Sequence, residues 1–246
     1  MPKETANPAR QMTGKLYLIP ASLGAEDINQ EIPSANSLIV STLNEFIVEN
    51  VRTARRFLRK AGFTRNFDEV KFHILDKHTP DHILPEFLKN ITDNNPIGLL
   101  SEAGYPCIAD PGQKIVRKAH EQNIRVIPLV GPSSILMALV SSGFNGQSFV
   151  FHGYLPIDKK ERVHTIKLIE REALRKGQTQ IFMETPFRNN ALLADILQNC
   201  SNQTLLCVAS NITCNNEYIQ TMNIAQWKKN TPDLHKMPSV FLLYKE

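Results

Sequence analysis

The sequence has no long hydrophobic run and few cysteines. No stretch approaches the ~18 unbroken apolar residues of a membrane-spanning helix, so no membrane association is predicted. The first residues, MPKETANPARQMTG, contain no apolar segment of the secretory type, and residues 1–13 are predicted to be a disordered lead-in. Four cysteines in 246 residues do not make a disulfide framework, which predicts a reducing, cytoplasmic environment.

Motifs of several common sites are missing too. The G-x-G-x-x-G pattern of classical dinucleotide-binding domains is absent, as is any serine, histidine and aspartate arrangement of a hydrolase. His78 and His82 have the i, i+4 spacing of metal ligands, but no third ligand is recognisable nearby, and no metal site is predicted. Cys200, Cys207 and Cys214 lack the CxxC spacing of zinc sites and are predicted to be small core residues. The formal net charge of +4 permits an anionic partner without requiring one.

What the sequence does contain, in its first half, is an alternation of short apolar runs with amphipathic stretches of helical length. Such an alternation is typical of an α/β domain with a largely parallel sheet. The pattern predicts strands at 15–20, 45–49, 70–75, 96–101 and 124–130, and helices at 51–62, 80–90 and 111–123.

A second series of strands follows a helix predicted near 133–142. Its last strands are joined by short connections, which favours a mixed or antiparallel sheet, and Trp227 is predicted to dock a short helix. The series comprises strands at 149–155, 179–185, 204–210, 217–221 and 239–244, and helices at about 159–175 and 187–199. The sequence therefore predicts two α/β domains, at 14–131 and 132–246.

Two loops at predicted strand ends could hold a ligand, because open α/β sheets bind ligands beyond the carboxyl ends of their strands. The loop SEAGYPCIADPG at 101–112 is rich in glycine and proline, which predicts a fixed backbone shape. Glu102 in this loop could accept hydrogen bonds from a ligand. Asp110 could instead cap a helix starting at Pro111. The loop GPSS offers Ser133 or Ser134 as a helix N-cap, with exposed N–H groups that could also bind a ligand.

Seven segments, in this order, carry a resemblance to a known family. They are LYLIPASLG, VENVR, SEAGYPCIADPG, IPLVGPSS, GYLP, FMETPFR and ASNIT, spanning residues 15 to about 213. The chain resembles the tetrapyrrole methylase family of S-adenosylmethionine-dependent methyltransferases. Within that family it is most similar to the branch of ribosomal small-subunit methyltransferase I, which methylates a cytidine 2′-hydroxyl.

The resemblance implies two α/β domains with S-adenosyl-L-methionine in the cleft between them, a ribosomal RNA substrate and a homodimer. Matched position by position, it also implies which residues bind the donor. These are Pro20, Leu23, Glu102, Ala103, Gly104, Tyr105, Pro106, Ile108, Ser133, Ser134, Met183, Ala209 and Pro238.

Departures from the family pattern fall on the side expected to meet the methyl acceptor. The pattern AEDTR is VENVR here, which places Asn50 and Val51 where the family has Asp and Thr, and ARELT is ASNIT. These losses keep two alternatives open: methylation of a small molecule or protein side chain, and a relative that binds donor or RNA without turnover.

The retained Glu49 and Arg52 are the candidates for catalysis. A hydroxyl acceptor gains from a carboxylate that takes its proton, so Glu49 is the candidate general base and Arg52 a candidate contact to substrate phosphate. The alternative is an exposed Glu–Arg pair near a helix start.

A stripe of cations follows on the predicted helix at 51–62. Arg52, Arg55, Arg56, Arg59 and Lys60 recur at helical spacing with no acidic residue among them. The stripe is predicted to bind an RNA backbone, and the alternative is a solvated helix face.

Overall fold

The computed structural model describes residues 14–245, so the predicted lead-in at 1–13 lies outside the described residues. The chain divides into two compact units. The first unit contains Asp27–Pro132 and the chain up to Ser22, and the second contains Leu23–Glu26 and the chain from Ser133 onward. Among the described helices, none has the length and apolar character needed to cross a bilayer.

The first unit is built on a five-stranded parallel sheet, as predicted. Its strand order is β3-β2-β4-β1-β5. The strands β2 and β4 are buried along their whole length, whereas β1, which also has neighbours on both sides, is fully buried only at Leu16 and Ile19. The strands are β1 (Lys15–Ile19), β2 (Glu45–Val48), β3 (Lys71–Ile74), β4 (Ile97–Leu100) and β5 (Arg125–Pro128).

The helices of the first unit differ from the prediction at three places. Helix α1 was not predicted, because its sequence SANSLIVST is dominated by serine and β-branched residues, which are weak helix formers. The helix predicted at 80–90 is a 3₁₀ turn at Asp81–Ile83 followed by a short α3, and the helix predicted at 111–123 begins only at Gln113. The helices are α1 (Ser34–Thr42), α2 (Val51–Lys60), α3 (Leu84–Leu88) and α4 (Gln113–Glu121).

The second unit contains a mixed five-stranded sheet, which confirms the predicted fold class. The order is β6-β7-β10-β8-β9, with β6 and β7 parallel and the other pairs antiparallel. The strands are β6 (Phe149–Tyr154), β7 (Thr179–Glu184), β8 (Leu205–Ser210), β9 (Tyr218–Asn223) and β10 (Ser239–Tyr244). The helices are α5 (Ser134–Ser142), α6 (Lys159–Lys176), α7 (Asn189–Asn199) and α8 (Ile224–Trp227).

Alternate residues of these strands fill two separate cores. Helices α6 and α7 cover one face of the sheet and α5 covers the other. Trp227 lies fully buried in the first core, where its indole Nε1 donates a hydrogen bond of 2.9 Å to the carbonyl oxygen of Leu206, so the predicted docking of a short helix is confirmed. Cys200 and Cys207 are buried core residues as predicted, whereas Cys214 is only half-buried.

Candidate functional site

Three loops that leave the carboxyl edge of the parallel sheet are tied together. Ala21 and Gly104 exchange two backbone hydrogen bonds of 2.8 and 3.1 Å, which joins the loop after β1 to the loop after β4. The hydroxyl of Tyr105 accepts a bond of 3.0 Å from the N–H of Gly131, in the loop after β5. The structure therefore brings the loop that contains Pro20 together with the loop that contains the candidate donor-binding residues 102–106, and both loops belong to the first unit.

The loop after β4 holds an unusual backbone conformation. Cys107 and Ala109 have φ angles of 74° and 60°, in the left-handed region that costs a residue with a Cβ about 1 kcal/mol or more. Asp110 Oδ1 fixes this shape by accepting 2.8 Å hydrogen bonds from the N–H groups of Cys107 and Gly112. The expectation that Asp110 caps a helix starting at Pro111 is therefore wrong. Stored backbone strain of this kind is concentrated at functional sites.

Glu49 follows β2 at the same edge of the sheet, half-buried, among three other carboxylates. Burial, together with the charges of Asp110, Glu102 and Asp76, raises the pKa of Glu49 from 4.5 to about 7. A carboxylate with a pKa near neutrality can both accept and release a proton at physiological pH. Among the ion pairs of residues 14–245, none joins Glu49 to Arg52, so the alternative of a simple Glu–Arg pair is not what the structure contains.

The N-terminus of α2 is attached to the loop after β4. Asn50 caps the helix, since its side-chain Oδ1 accepts the N–H groups of Arg52 at 2.8 Å and Thr53 at 3.3 Å. The hydroxyl of Thr53 lies 2.6 Å from Oε1 of Glu102. Sequence reasoning missed Thr53, because its partner is 49 residues away in the chain and no local pattern signals the contact.

The cation stripe of α2 lies on the exposed face of the helix. Ala54 and Leu58 are buried on the opposite face, as the helical spacing predicts. None of the five cations has a carboxylate within 4.0 Å among the described residues. Beside the helix is a shallow depression lined by Val51, Arg52, Arg55, Arg56, Arg59 and Phe67. Sequence reasoning missed Phe67, which lies outside the helix.

In the second unit, the predicted residues fall around α5 and the sheet face that it covers. Ser133 is the N-cap of α5, as predicted, and its Oγ accepts the N–H of Leu136 at 3.4 Å, while Ser134 begins the helix. Leu23 packs against the core beneath α5. The strands of this face supply the half-buried Met183 and, just before β10, the exposed Pro238.

Ala209 lies in the core of the second unit. Its side chain is fully buried under α5, and its strand is hydrogen-bonded on both sides, opposite Val240 and Ile219. The contact of Ala209 with the donor stays a prediction.

Glu184 and Arg188, both in the segment FMETPFR that carries part of the family resemblance, form a local ion pair on the second unit. Glu184 Oε1 accepts hydrogen bonds from Arg188 Nε at 2.9 Å and Nη2 at 2.5 Å, and from the N–H of Thr185 at 2.6 Å. This pair anchors the start of α7. Within residues 14–245, no group of three His, Cys, Asp or Glu side chains is arranged to hold a metal ion.

Comparison with known proteins gives a consistent set of matches. Residues 54–227 match the family described as Tetrapyrrole (Corrin/Porphyrin) Methylases. Ribosomal RNA small subunit methyltransferase I from Synechocystis sp. is 30% identical over 89% of this chain and 76% of its own length. The protein of the same name from Buchnera aphidicola is 28% identical over 94% of this chain and 78% of its own length.

Solved structures show the same fold at low sequence identity. The methyltransferase CobJ is 14% identical, with a TM-score of 0.61 over 96% of this chain and 95% of its own. The cobalt precorrin-4 methyltransferase CbiF is 10% identical, with a TM-score of 0.59 over 94% of each chain.

Proposed function

The chain belongs to the tetrapyrrole (corrin/porphyrin) methylase family and is a methyltransferase, and we propose that it methylates a ribose 2′-hydroxyl of small-subunit ribosomal RNA. One observation carries the choice of an RNA hydroxyl. Glu49, whose pKa is raised to about 7, lies two residues before the start of the helix whose outer face carries five cations, none of which has a carboxylate within 4.0 Å among residues 14–245. A proton acceptor and a phosphate-binding surface are thus adjacent in one unit.

S-adenosyl-L-methionine is the proposed donor, and the residues of the first unit fit it. When bound, it supplies a methyl group on a positively charged sulfur, already reactive toward an oxygen nucleophile. Glu102 is exposed, and its hydrogen bond among the described residues is from Thr53 to Oε1. Its Oε2 is available for the hydroxyl or ammonium groups of the donor. Gly104, with φ of 65°, lets the backbone of the loop approach a ligand closely.

The remaining donor contacts are proposed from the family resemblance, each on its own unit. Glu102 and Gly104 are joined on the first unit by Pro20, Ala103, Tyr105, Pro106 and Ile108. On the second unit the proposed residues are Leu23, Ser133, Ser134, Met183, Ala209 and Pro238.

Glu49 is the proposed general base. At pH 7 about half of a carboxyl population with a pKa near 7 is ionised, so the group can take a proton from a ribose hydroxyl as the new O–C bond forms. Arg52 is the second residue of α2. It is proposed to bind a substrate phosphate and so to hold the ribose hydroxyl next to Glu49. Most of the rate enhancement then comes from placing donor and acceptor in line.

Four residues of the cation stripe form the proposed RNA-binding surface: Arg55, Arg56, Arg59 and Lys60. Exposed cations that have no acidic partner bind phosphates by releasing counterions, and this predicts an affinity that falls steeply with salt. A homodimer is also proposed, and sedimentation equilibrium tests it directly.

Two measurements test the function. Calorimetric titration with S-adenosyl-L-methionine should show binding, and its absence at millimolar ligand would refute the proposed donor. Labelled methyl transfer to small-subunit ribosomal RNA from cells lacking this gene should then place the label on a ribose. Label found only in small molecules or in protein would support the alternative acceptors instead.

A further inference from the structure

Arg59 is held in one orientation although it lies on the protein surface. Its guanidinium carbon lies 4.1 Å from the ring centroid of Phe67, which is the distance of a cation–π contact. Its Nη1 also donates a hydrogen bond of 2.6 Å to the carbonyl oxygen of Phe63. A surface arginine with two such restraints presents a planar group whose orientation is fixed before any ligand arrives.

The support beneath Arg59 is a layer of aromatic rings. The rings of Phe63 and Phe67 are stacked, with centroids 5.4 Å apart and an angle of 4° between their planes. Arg55 lies over the same layer, 5.3 Å from the centroid of Phe67 and 5.4 Å from that of Phe72. Two guanidinium groups of the stripe therefore rest on aromatic rings.

Arg52, Arg56 and Lys60, the other cations of the stripe, lie over no aromatic ring within residues 14–245. Arg56 is exposed on the same face of α2, one residue from Arg55, and lines the same depression. Charge alone would attract the phosphates of any nucleic acid, duplex or unpaired. An oriented guanidinium plane adds a flat surface on which an unpaired base can stack, and bases inside a duplex do not offer that face.

We propose that the Arg59–Phe67 surface binds an unpaired nucleotide of the RNA substrate, with its base stacked on the guanidinium of Arg59. The neighbouring Arg56 and Arg52, which both precede Arg59 on α2, contact successive phosphates on one side of that nucleotide. With a helical rise of about 1.5 Å per residue, Arg52 and Arg59 are separated by about 10 Å along the axis, which is room for a short stretch of single-stranded backbone. The inference rests on the proposed RNA substrate and specifies its form.

The test separates stacking from charge. Fluorescence anisotropy measures the affinity of the full chain for a labelled single-stranded RNA and for a duplex of the same sequence at matched salt. Arg59→Lys keeps the charge but removes the planar group. It should weaken single-strand binding by about 5-fold or more and leave duplex binding within about 2-fold. Arg117→Lys is the matched control, since Arg117 is exposed on α4 of the same unit and lies outside the cation stripe, and it should change neither affinity by more than about 2-fold.

A second probe removes the base instead of the arginine. An oligonucleotide with abasic sites keeps its phosphates, so wild-type protein should bind it about as weakly as Arg59→Lys binds the ordinary strand. Equal losses for Arg59→Lys and Arg117→Lys, or equal losses on duplex and single strand, would overturn the stacking inference while leaving an RNA substrate in place. Failure of the wild-type protein to bind either RNA at low salt would overturn both.

Discussion

The hydroxyl of Thr53 donates a hydrogen bond of 2.6 Å to Oε1 of Glu102. Thr53 lies in the first turn of α2, whose outer face carries the cation stripe, and Glu102 lies in the loop after β4 that is proposed to bind the methyl donor. One side-chain contact therefore joins the two surfaces that the reaction needs.

Removing that contact should weaken donor binding. Thr53→Val keeps the shape of the side chain but cannot donate, so Glu102 loses a fixed orientation. We expect the calorimetric affinity for S-adenosyl-L-methionine to fall by roughly tenfold or more, as for the loss of a hydrogen bond to a charged group. Thr53→Ser restores the donor and should retain the affinity of the wild type. An unchanged affinity in Thr53→Val would show that the contact does not position Glu102 for the donor.

Replacing Glu49 should stabilise the protein at high pH while reducing activity. The native pKa of about 7 lies above the ordinary value of 4.5, so the unfolded chain ionises first as pH rises. Wild-type stability is therefore unaffected by this group below pH 4.5, falls between pH 4.5 and 7, and carries the full penalty above pH 7. Glu49→Gln should be more stable by roughly 1–2 kcal/mol at pH 8 and by much less at pH 4.5.

Urea unfolding at the two pH values measures this difference. Glu121→Gln is a control, because Glu121 is exposed at the end of α4 and is paired with Lys118. It should not stabilise the protein at pH 8. A gain for Glu49→Gln that is equal at both pH values would contradict the raised pKa.

The pH dependence of methyl transfer should report the same group. If Glu49 accepts the proton of the hydroxyl, kcat/KM rises with pH and reaches half of its maximum near pH 7, since kcat/KM reports the pKa of the free enzyme. Glu49→Gln should lower kcat by about a hundredfold or more and abolish the rise. Glu102→Gln should instead raise KM for the donor and keep the rise with pH, shifted toward lower pH because one of the charges that raise the pKa of Glu49 is removed. An unaltered profile in Glu49→Gln would assign the general base to another group.

Charge reversal on α2 should weaken RNA binding in a salt-dependent way. Arg56→Glu should lower the affinity for RNA and reduce the steepness of its salt dependence by about one to two phosphate contacts. Arg117→Glu is the matched control, since Arg117 is exposed on α4 in the same unit and has no carboxylate within 4.0 Å among the described residues. Equal losses in the two variants would indicate a response to net charge only.

Stability of the second unit should depend on a buried ion pair between α6 and α7. Arg162 donates to Asp195 Oδ2 from Nε at 2.9 Å and from Nη2 at 2.6 Å, and both side chains are buried. Asp195→Ala leaves an uncompensated buried charge and should cost about 3–5 kcal/mol in urea unfolding. The double variant Arg162→Met with Asp195→Leu should cost much less. If the double variant is as unstable as Asp195→Ala, the loss of unfolding free energy does not come from leaving Arg162 as an unpaired buried charge.

Much of the fold could be predicted from the sequence because strand periodicity is local. Both sheets and the capping role of Ser133 follow from short patterns. The prediction failed for α1, whose residues have weak helix propensity and no amphipathic pattern, and at Asp110, whose carboxylate bonds to backbone within its own loop.

The sequence by itself determined that α2 is amphipathic, with five cations on one face, because a helix repeats its faces every 3.6 residues. It also placed Glu49 at the carboxyl end of a strand. Only the tertiary structure decided that Asp76, Glu102 and Asp110 surround Glu49 and raise its pKa, and that Phe67 lies under Arg59. Those contacts join different loops, and their distances are set by the path of the chain across the sheet edge, which no local spacing encodes.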